Sequence, residues 1–172
     1  MSREQILRRR IRLLTWLFII GLVVSGATAI PLNWELDLLA QGFGLDGQTS
    51  ATATNELGRW LLTAREALHA VSANHPLLFY GTDWLAFGHF VIAIAFLGAL
   101  RDPVRNRWLF DFGLIACALV IPYALVFGAV RGIPFWWRLI DCSFGVFGFV
   151  PLWFCRKWVH ELSGLPQNNS SV

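Results

Sequence analysis

The sequence predicts an all-α polytopic membrane protein: four transmembrane helices in a bundle, with one or two short amphipathic helices in an outer loop. Three observations predict it. Of 172 residues, 56% are hydrophobic and only 15% charged, a balance that would leave a soluble domain too little polar surface. Four stretches, residues 13–30, 84–100, 108–130 and 134–154, are apolar over about the 20 residues that a bilayer core of about 30 Å requires of a helix. Basic residues fall in three clusters beside those stretches. Irregular backbone in lipid would leave its polar groups unsatisfied, so each stretch is expected to be helical.

The first span follows Arg3, Arg8, Arg9, Arg10 and Arg12; Arg101, Arg105 and Arg107 lie between the second and third; Arg156 and Lys157 follow the fourth. Four crossings put all three clusters on one side, and the positive-inside rule makes that side the cytoplasm. The expected topology is multi-pass with both termini cytoplasmic, an outer loop over 31–82 and a cytoplasmic tail over 156–172. The whole chain, 1–172, is taken as a single membrane domain. A competing pattern is present at the start: a basic segment, an apolar run and "GATAIP", with Ala27 and Ala29 in an A-x-A arrangement, describe a cleaved signal peptide. Cleavage would leave three spans; the length of the run favours a retained one.

Within the outer loop, "PLNWELDLLAQGFGLDGQTSATAT" reads as a short interfacial helix opened at Asn33, then a Gly-, Ser- and Thr-rich loop. In "NELGRWLLTAREALHAVSANHP", Asn55 is a candidate cap. Leu57, Leu61, Ala64, Leu68 and Val71 recur at helical spacing until Pro76 ends the helix. This amphipathic helix is expected at the outer surface with Trp60 near the headgroups, as a cap, a partner-binding element or a plain spacer.

Polar residues inside the spans are the candidate site. At 1.5 Å of rise per residue, Asp141 lies about 10 Å inward from Pro134, His89 about 9 Å inward from Asp83, and Tyr123 about 10 Å inward from Val130. Three helices thus place a polar side chain at one level of the outer leaflet. Ionisable groups there are costly unless they pair or face water, so they are expected to turn inward. Arg138, three residues before Asp141, can neutralise it, and Arg131 is expected on the same face seven residues earlier. The pocket candidates are therefore Asp83, His89, Tyr123, Arg131, Arg138, Asp141 and Cys142. Plainer readings stand beside each: Arg138 and Asp141 as a packing pair, His89 as an interhelical contact, Asp83 as a helix-start charge, Cys142 as a small apolar residue. Gly88, Gly145 and Gly148 suit close helix packing, and Asp111, four residues after Arg107, suits an ion pair with it.

The stretches "FYGTDWLAFGHFVIAIAFLGALRDPVRN" and "RGIPFWWRLIDCSFGVFG" resemble an uncharacterised family of bacterial integral membrane proteins with four helices. The likeness covers roughly the C-terminal half and has no catalytic motif, so it implies no activity. It does imply a bacterial inner membrane, with the periplasm outside.

For function, the favoured expectation is a non-enzymatic accessory or binding protein whose outer-leaflet pocket engages a lipid, a small ligand or a partner protein. The partner could be another membrane protein or a second copy of the chain. One alternative is a small transporter or proton relay using Asp141 and His89, although the deeper levels are apolar apart from Cys117. Another is thiol chemistry at Cys142 with His89 as base. Haem ligation is weaker, since only His89 lies within a span and His75 is at the rim. Neither a cofactor nor a metal is expected, because no CxxC, zinc or phosphate-loop spacing occurs. The basic residues form no nucleic-acid-binding face.

Overall fold

The computed structural model describes residues 2–165, and over these it consists of helices and the turns between them. Six α-helices follow in order: α1 (Arg3–Thr28), α2 (Leu32–Gly42), α3 (Glu56–Asn74), α4 (Tyr80–Arg101), α5 (Arg107–Val130) and α6 (Phe135–Ser163). A 3-10 turn over Pro76–Phe79 leads into α4. Four helices are long and apolar enough to cross a membrane: α1, α4 with its leading turn, α5 and α6. Their outward faces are apolar too. Only 11% of the most apolar window of α5 is buried, and Phe147 on α6 is 76% exposed. In water such surfaces would drive aggregation; against acyl chains they are satisfied.

The helices outrun the apolar stretches at both ends of the chain. α1 begins ten residues before residue 13 because Ser2 and Gln5 form a reciprocal capping box. The Gln5 N–H donates to Ser2 Oγ (3.2 Å), and the Ser2 N–H donates to Gln5 Oε1 (3.0 Å). One turn on, Arg8 pairs with Glu4 at 2.8 Å. α6 passes through Pro151 and continues nine residues beyond Phe154, because Leu152, Cys155, Val159 and Leu162 form a buried stripe at helical spacing. The expected tail from 156 is therefore helix as far as Ser163, and 166–172 lies outside the described residues.

The chain folds as two compact units, one of Met1–Gly21 with Ala93–Val172 and the other of Leu22–Ile92. In the first, α5 and α6 pack antiparallel. Gly128 meets Arg138, the Ile121 carbonyl meets Cys142, Cys117 meets Gly145, Gly113 meets Leu152 and Asp111 meets Arg156. Glycine makes this approach possible. A Cβ on Gly145 would stand 2.5 Å from the Cys117 carbonyl oxygen, and one on Gly148 2.7 Å from Cys117 Sγ. Gly88, by contrast, has open space where its Cβ would be, so it contributes no close contact.

α1 packs on the C-terminal half of α6 in the same unit. Leu7, Ile11, Thr15 and Ile19 are its buried stripe, and Thr15 Oγ1 donates back to the Ile11 carbonyl at 2.8 Å. Cys155 Sγ donates to that same carbonyl (3.7 Å), Arg10 lies over the Trp158 ring, and Arg3 pairs with Glu161 at 2.7 Å. Phe96, at 0% exposure, touches Phe18 and Phe110. The start of α1 and the end of α6 are thus at one end of this unit.

In the second unit α2 packs on α3. α2 begins at Leu32 after Pro31, so Asn33 is inside its first turn instead of capping it. Asn55 does cap α3, its Oδ1 accepting the Gly58 N–H at 2.6 Å, and Pro76 follows its end as expected. Gly44 (φ 66°) and Gly47 (φ 74°) turn the loop between the two helices, which places Leu45 against Gly58. Leu61 and Leu62 are buried, while Leu57 is turned outward. In the same unit Gly26 is seated against Ala86, His89 and Phe90 of α4.

Candidate functional site

The half of the α5–α6 hairpin next to its turn carries most of the candidate residues. A short turn joins the helices: Gly132 takes φ 70°, Ile133 donates its N–H to the Gly128 carbonyl (2.8 Å), and Pro134 precedes the first residue of α6. Arg131 caps the end of α5 and is exposed. It precedes this turn, so the helical register does not carry from 131 to 138. The expectation of a shared face is corrected.

Arg138 crosses to α5. Its stem lies over Gly128, where any Cβ would collide with it; Nη1 donates to the Leu125 carbonyl at 3.1 Å; and the guanidinium stands 5.2 Å over the Phe135 ring. Nε is buried and has no hydrogen-bond partner. Asp141 is half-buried one turn later and, among the described residues, makes no ion pair or hydrogen bond. The expected Arg138–Asp141 pair is therefore not formed. Helical side chains lean toward the N-terminus, so Arg138, the N-terminal member, leans away from Asp141 toward Phe135 and Leu125. Acid before base is the favourable order within a helix; here it is reversed.

Cys142 is buried and its thiol donates to the Ile121 carbonyl at 3.8 Å. Tyr123 is 66% exposed, with its ring 4.4 Å from that of Phe127, on a face of α5 turned away from Gly128, Leu125 and Ile121. The structure brings Arg138 and Cys142 onto α5; it does not bring Tyr123 to Asp141. Asp83 and His89 belong to the second unit. Asp83 lies in the first turn of α4, after Thr82, whose hydroxyl donates to the Phe79 carbonyl (2.7 Å). His89 Nδ1–H donates to the Leu85 carbonyl at 2.8 Å, one turn back on its own helix.

At the other end of the hairpin, Asp111 pairs with Arg156 on α6 at 2.5 Å, correcting the expected local pair with Arg107. Only packing could reveal that partner, since 45 residues separate the two.

Sequence reasoning missed a polar cluster on α2 and α3. Asp37 Oδ1 accepts from Arg65 Nε (2.6 Å) and lies 3.0 Å from His69 Nε2. The His69 hydrogen bond, followed by that of Arg65, holds the Asp37 carboxyl below its ordinary range. Glu66 accepts from Ser50 through both hydroxyl (2.6 Å) and N–H (2.8 Å), which likewise keeps its carboxyl low and pins the loop to α3. Arg65 and His69 stand at i and i+4, a spacing that marks one helix face; their carboxylate partner on α2 carried no such mark.

The three cysteines are free, and among the described residues no three His, Cys, Asp or Glu side chains gather to hold a metal ion. Comparison with protein-family models, with curated proteins and with solved structures gives no match for this chain.

Proposed function

We propose that this protein is an integral membrane accessory or binding protein whose α5–α6 hairpin engages a lipid, a small ligand or a partner protein through Asp141. The observation that carries this reading is Asp141 itself. By helix rise its carboxylate is about 10 Å inside the span, and nothing in the described chain satisfies it. An ionisable group at that depth is costly, and it marks a place where something outside the helix is met. Arg138 does not answer this charge, because its guanidinium is anchored on the Leu125 carbonyl and over Phe135. A relay reading asks for titratable groups at successive depths, whereas below Asp141 the α5–α6 contact is built from Gly145, Cys117, Gly113 and Leu152.

The proposal extends to a bacterial inner membrane with both termini cytoplasmic, an orientation supported by the arginine clusters that flank the spans. Reporter fusions after Arg105 and at the C-terminus are expected to read cytoplasm, and one near Gln48 the periplasm. The binding role is tested by gentle purification followed by mass spectrometry of what is retained. Wild-type protein is expected to carry a lipid, small molecule or protein that Asp141→Asn loses while remaining folded. Identical retention by both proteins would refute it.

A further inference from the structure

We infer that the basic end of the first unit is a binding site for the phosphate headgroup of an anionic phospholipid. The site is separate from Asp141 and at the opposite end of the α5–α6 hairpin. A shallow crevice there is lined by Arg8, Ile11 and Arg12 of α1, by Leu100 and Arg101 of α4, and by Pro103 beyond it. It holds only about 30 Å³, so a headgroup rests across its mouth and does not enter it.

Three arginines from two helices line one crevice, and the chain pairs only one of them with a carboxylate. Glu4 pairs with Arg8. Among the described residues no carboxylate comes within 4 Å of Arg12 or Arg101. The nearest acid in sequence, Asp102, is committed elsewhere, its Oδ1 accepting the N–H groups of Val104 (3.1 Å) and Arg105 (3.0 Å). Arg3 has Glu161, Arg156 has Asp111 and Arg10 lies over Trp158; Arg9, Arg105 and Arg107 are also without an ion pair among the described residues, but they do not line the crevice. Gathering uncompensated like charges costs energy that an external anion relieves.

The position selects the anion. Arg12 immediately precedes the apolar run that opens at Leu13, and Arg101 immediately follows the one that closes at Leu100, so both stand where acyl chains give way to water. Leu100, half-buried beside the charges, supplies apolar footing, as a lipid requires and a free phosphate does not. Arginine suits the ligand, because its planar fork matches phosphate oxygens bidentately. A basic crevice between membrane helices is a common headgroup site.

The experiment is a titration of the full-length protein in dodecylmaltoside micelles with phosphatidylglycerol, phosphatidylcholine or inorganic phosphate, read as apparent Kd from the rise in Tm. Phosphatidylglycerol is expected to stabilise and the other two to have little effect. R12Q and R101Q should each weaken phosphatidylglycerol binding about fivefold, and both together about 25-fold. R105Q, outside the crevice, should leave it within twofold. Raising salt to about 1 M, where the Debye length is about 3 Å, should reduce the wild-type effect, a readout that needs no variant. Equal stabilisation by phosphatidylcholine, the same response to inorganic phosphate, full binding by R12Q/R101Q or indifference to salt would each overturn the assignment.

Discussion

The sharpest test of the hairpin concerns Arg138 and Asp141, which are neighbours on α6 but not partners. Arg138→Gln removes a charge-assisted hydrogen bond to the Leu125 carbonyl, worth about 1.5–3 kcal/mol. It also removes a cation–π contact with Phe135, worth about 0.5–1 kcal/mol where partly exposed. It strips the stem from Gly128 as well, so a loss of about 2–4 kcal/mol is expected. Asp141→Asn breaks no bond within the chain and removes an uncompensated charge, so stability should stay within about 0.5 kcal/mol or rise. Because the side chains do not touch, the double variant should show the sum of the two effects, with a coupling below about 0.5 kcal/mol. A locked buried pair behaves otherwise: each single change would cost about 3–5 kcal/mol and the double would recover. Equilibrium unfolding of the four proteins in mixed micelles measures the cycle. A coupling above about 1.5 kcal/mol would show that Arg138 does bind Asp141, and the case for an external partner would fall with it.

Packing at the glycines gives a contrast of sign. Gly145→Ala puts a Cβ 2.5 Å from the Cys117 carbonyl oxygen, which forces α5 and α6 apart at about 1–3 kcal/mol, whereas Gly88→Ala meets open space and should stabilise α4 by about 0.5–1 kcal/mol; thermal unfolding compares them. Asp37 and Glu66 titrate below their ordinary values in the folded state, so their stabilisation is full above those values and is lost as pH falls through the lowered ones. Hydrogen-exchange protection factors over α2 and α3, referred to the intrinsic rate at each pH, should therefore fall as pH drops below about 4. Asp37→Asn should lower them already at neutral pH and flatten their acid dependence. A double-mutant cycle should find coupling between Asp111 and Arg156, up to about 1 kcal/mol for this half-exposed pair, and none between Asp111 and Arg107.

The sequence by itself determined the helical class, the four apolar spans and the cap of α3 at Asn55. The reason is physical: a bilayer enforces length and hydropathy on every span, and a capping side chain acts three residues away, so both are local and legible. The start of α1 was equally local. Ser2 and Gln5 form the box, yet the eye follows hydropathy, which begins later at Leu13. The continuation of α6 past Phe154 was not local, since it depends on Leu152, Cys155 and Val159 being covered.

Tertiary structure alone decided who pairs with whom. Spacing of three or four along a helix suggested Arg138 with Asp141 and Arg107 with Asp111, but spacing permits contact without specifying it. The lean of helical side chains sends Arg138 to a backbone carbonyl on α5, and the antiparallel register of the hairpin offers Asp111 a better cation on α6. Tertiary contacts also reveal which glycines matter, Gly145 and not Gly88, because the penalty of a Cβ depends on what lies beside it. Likewise the crevice at Arg12 and Arg101 joins residues 89 apart in the chain, and whether their charges are answered is a question only the fold can pose.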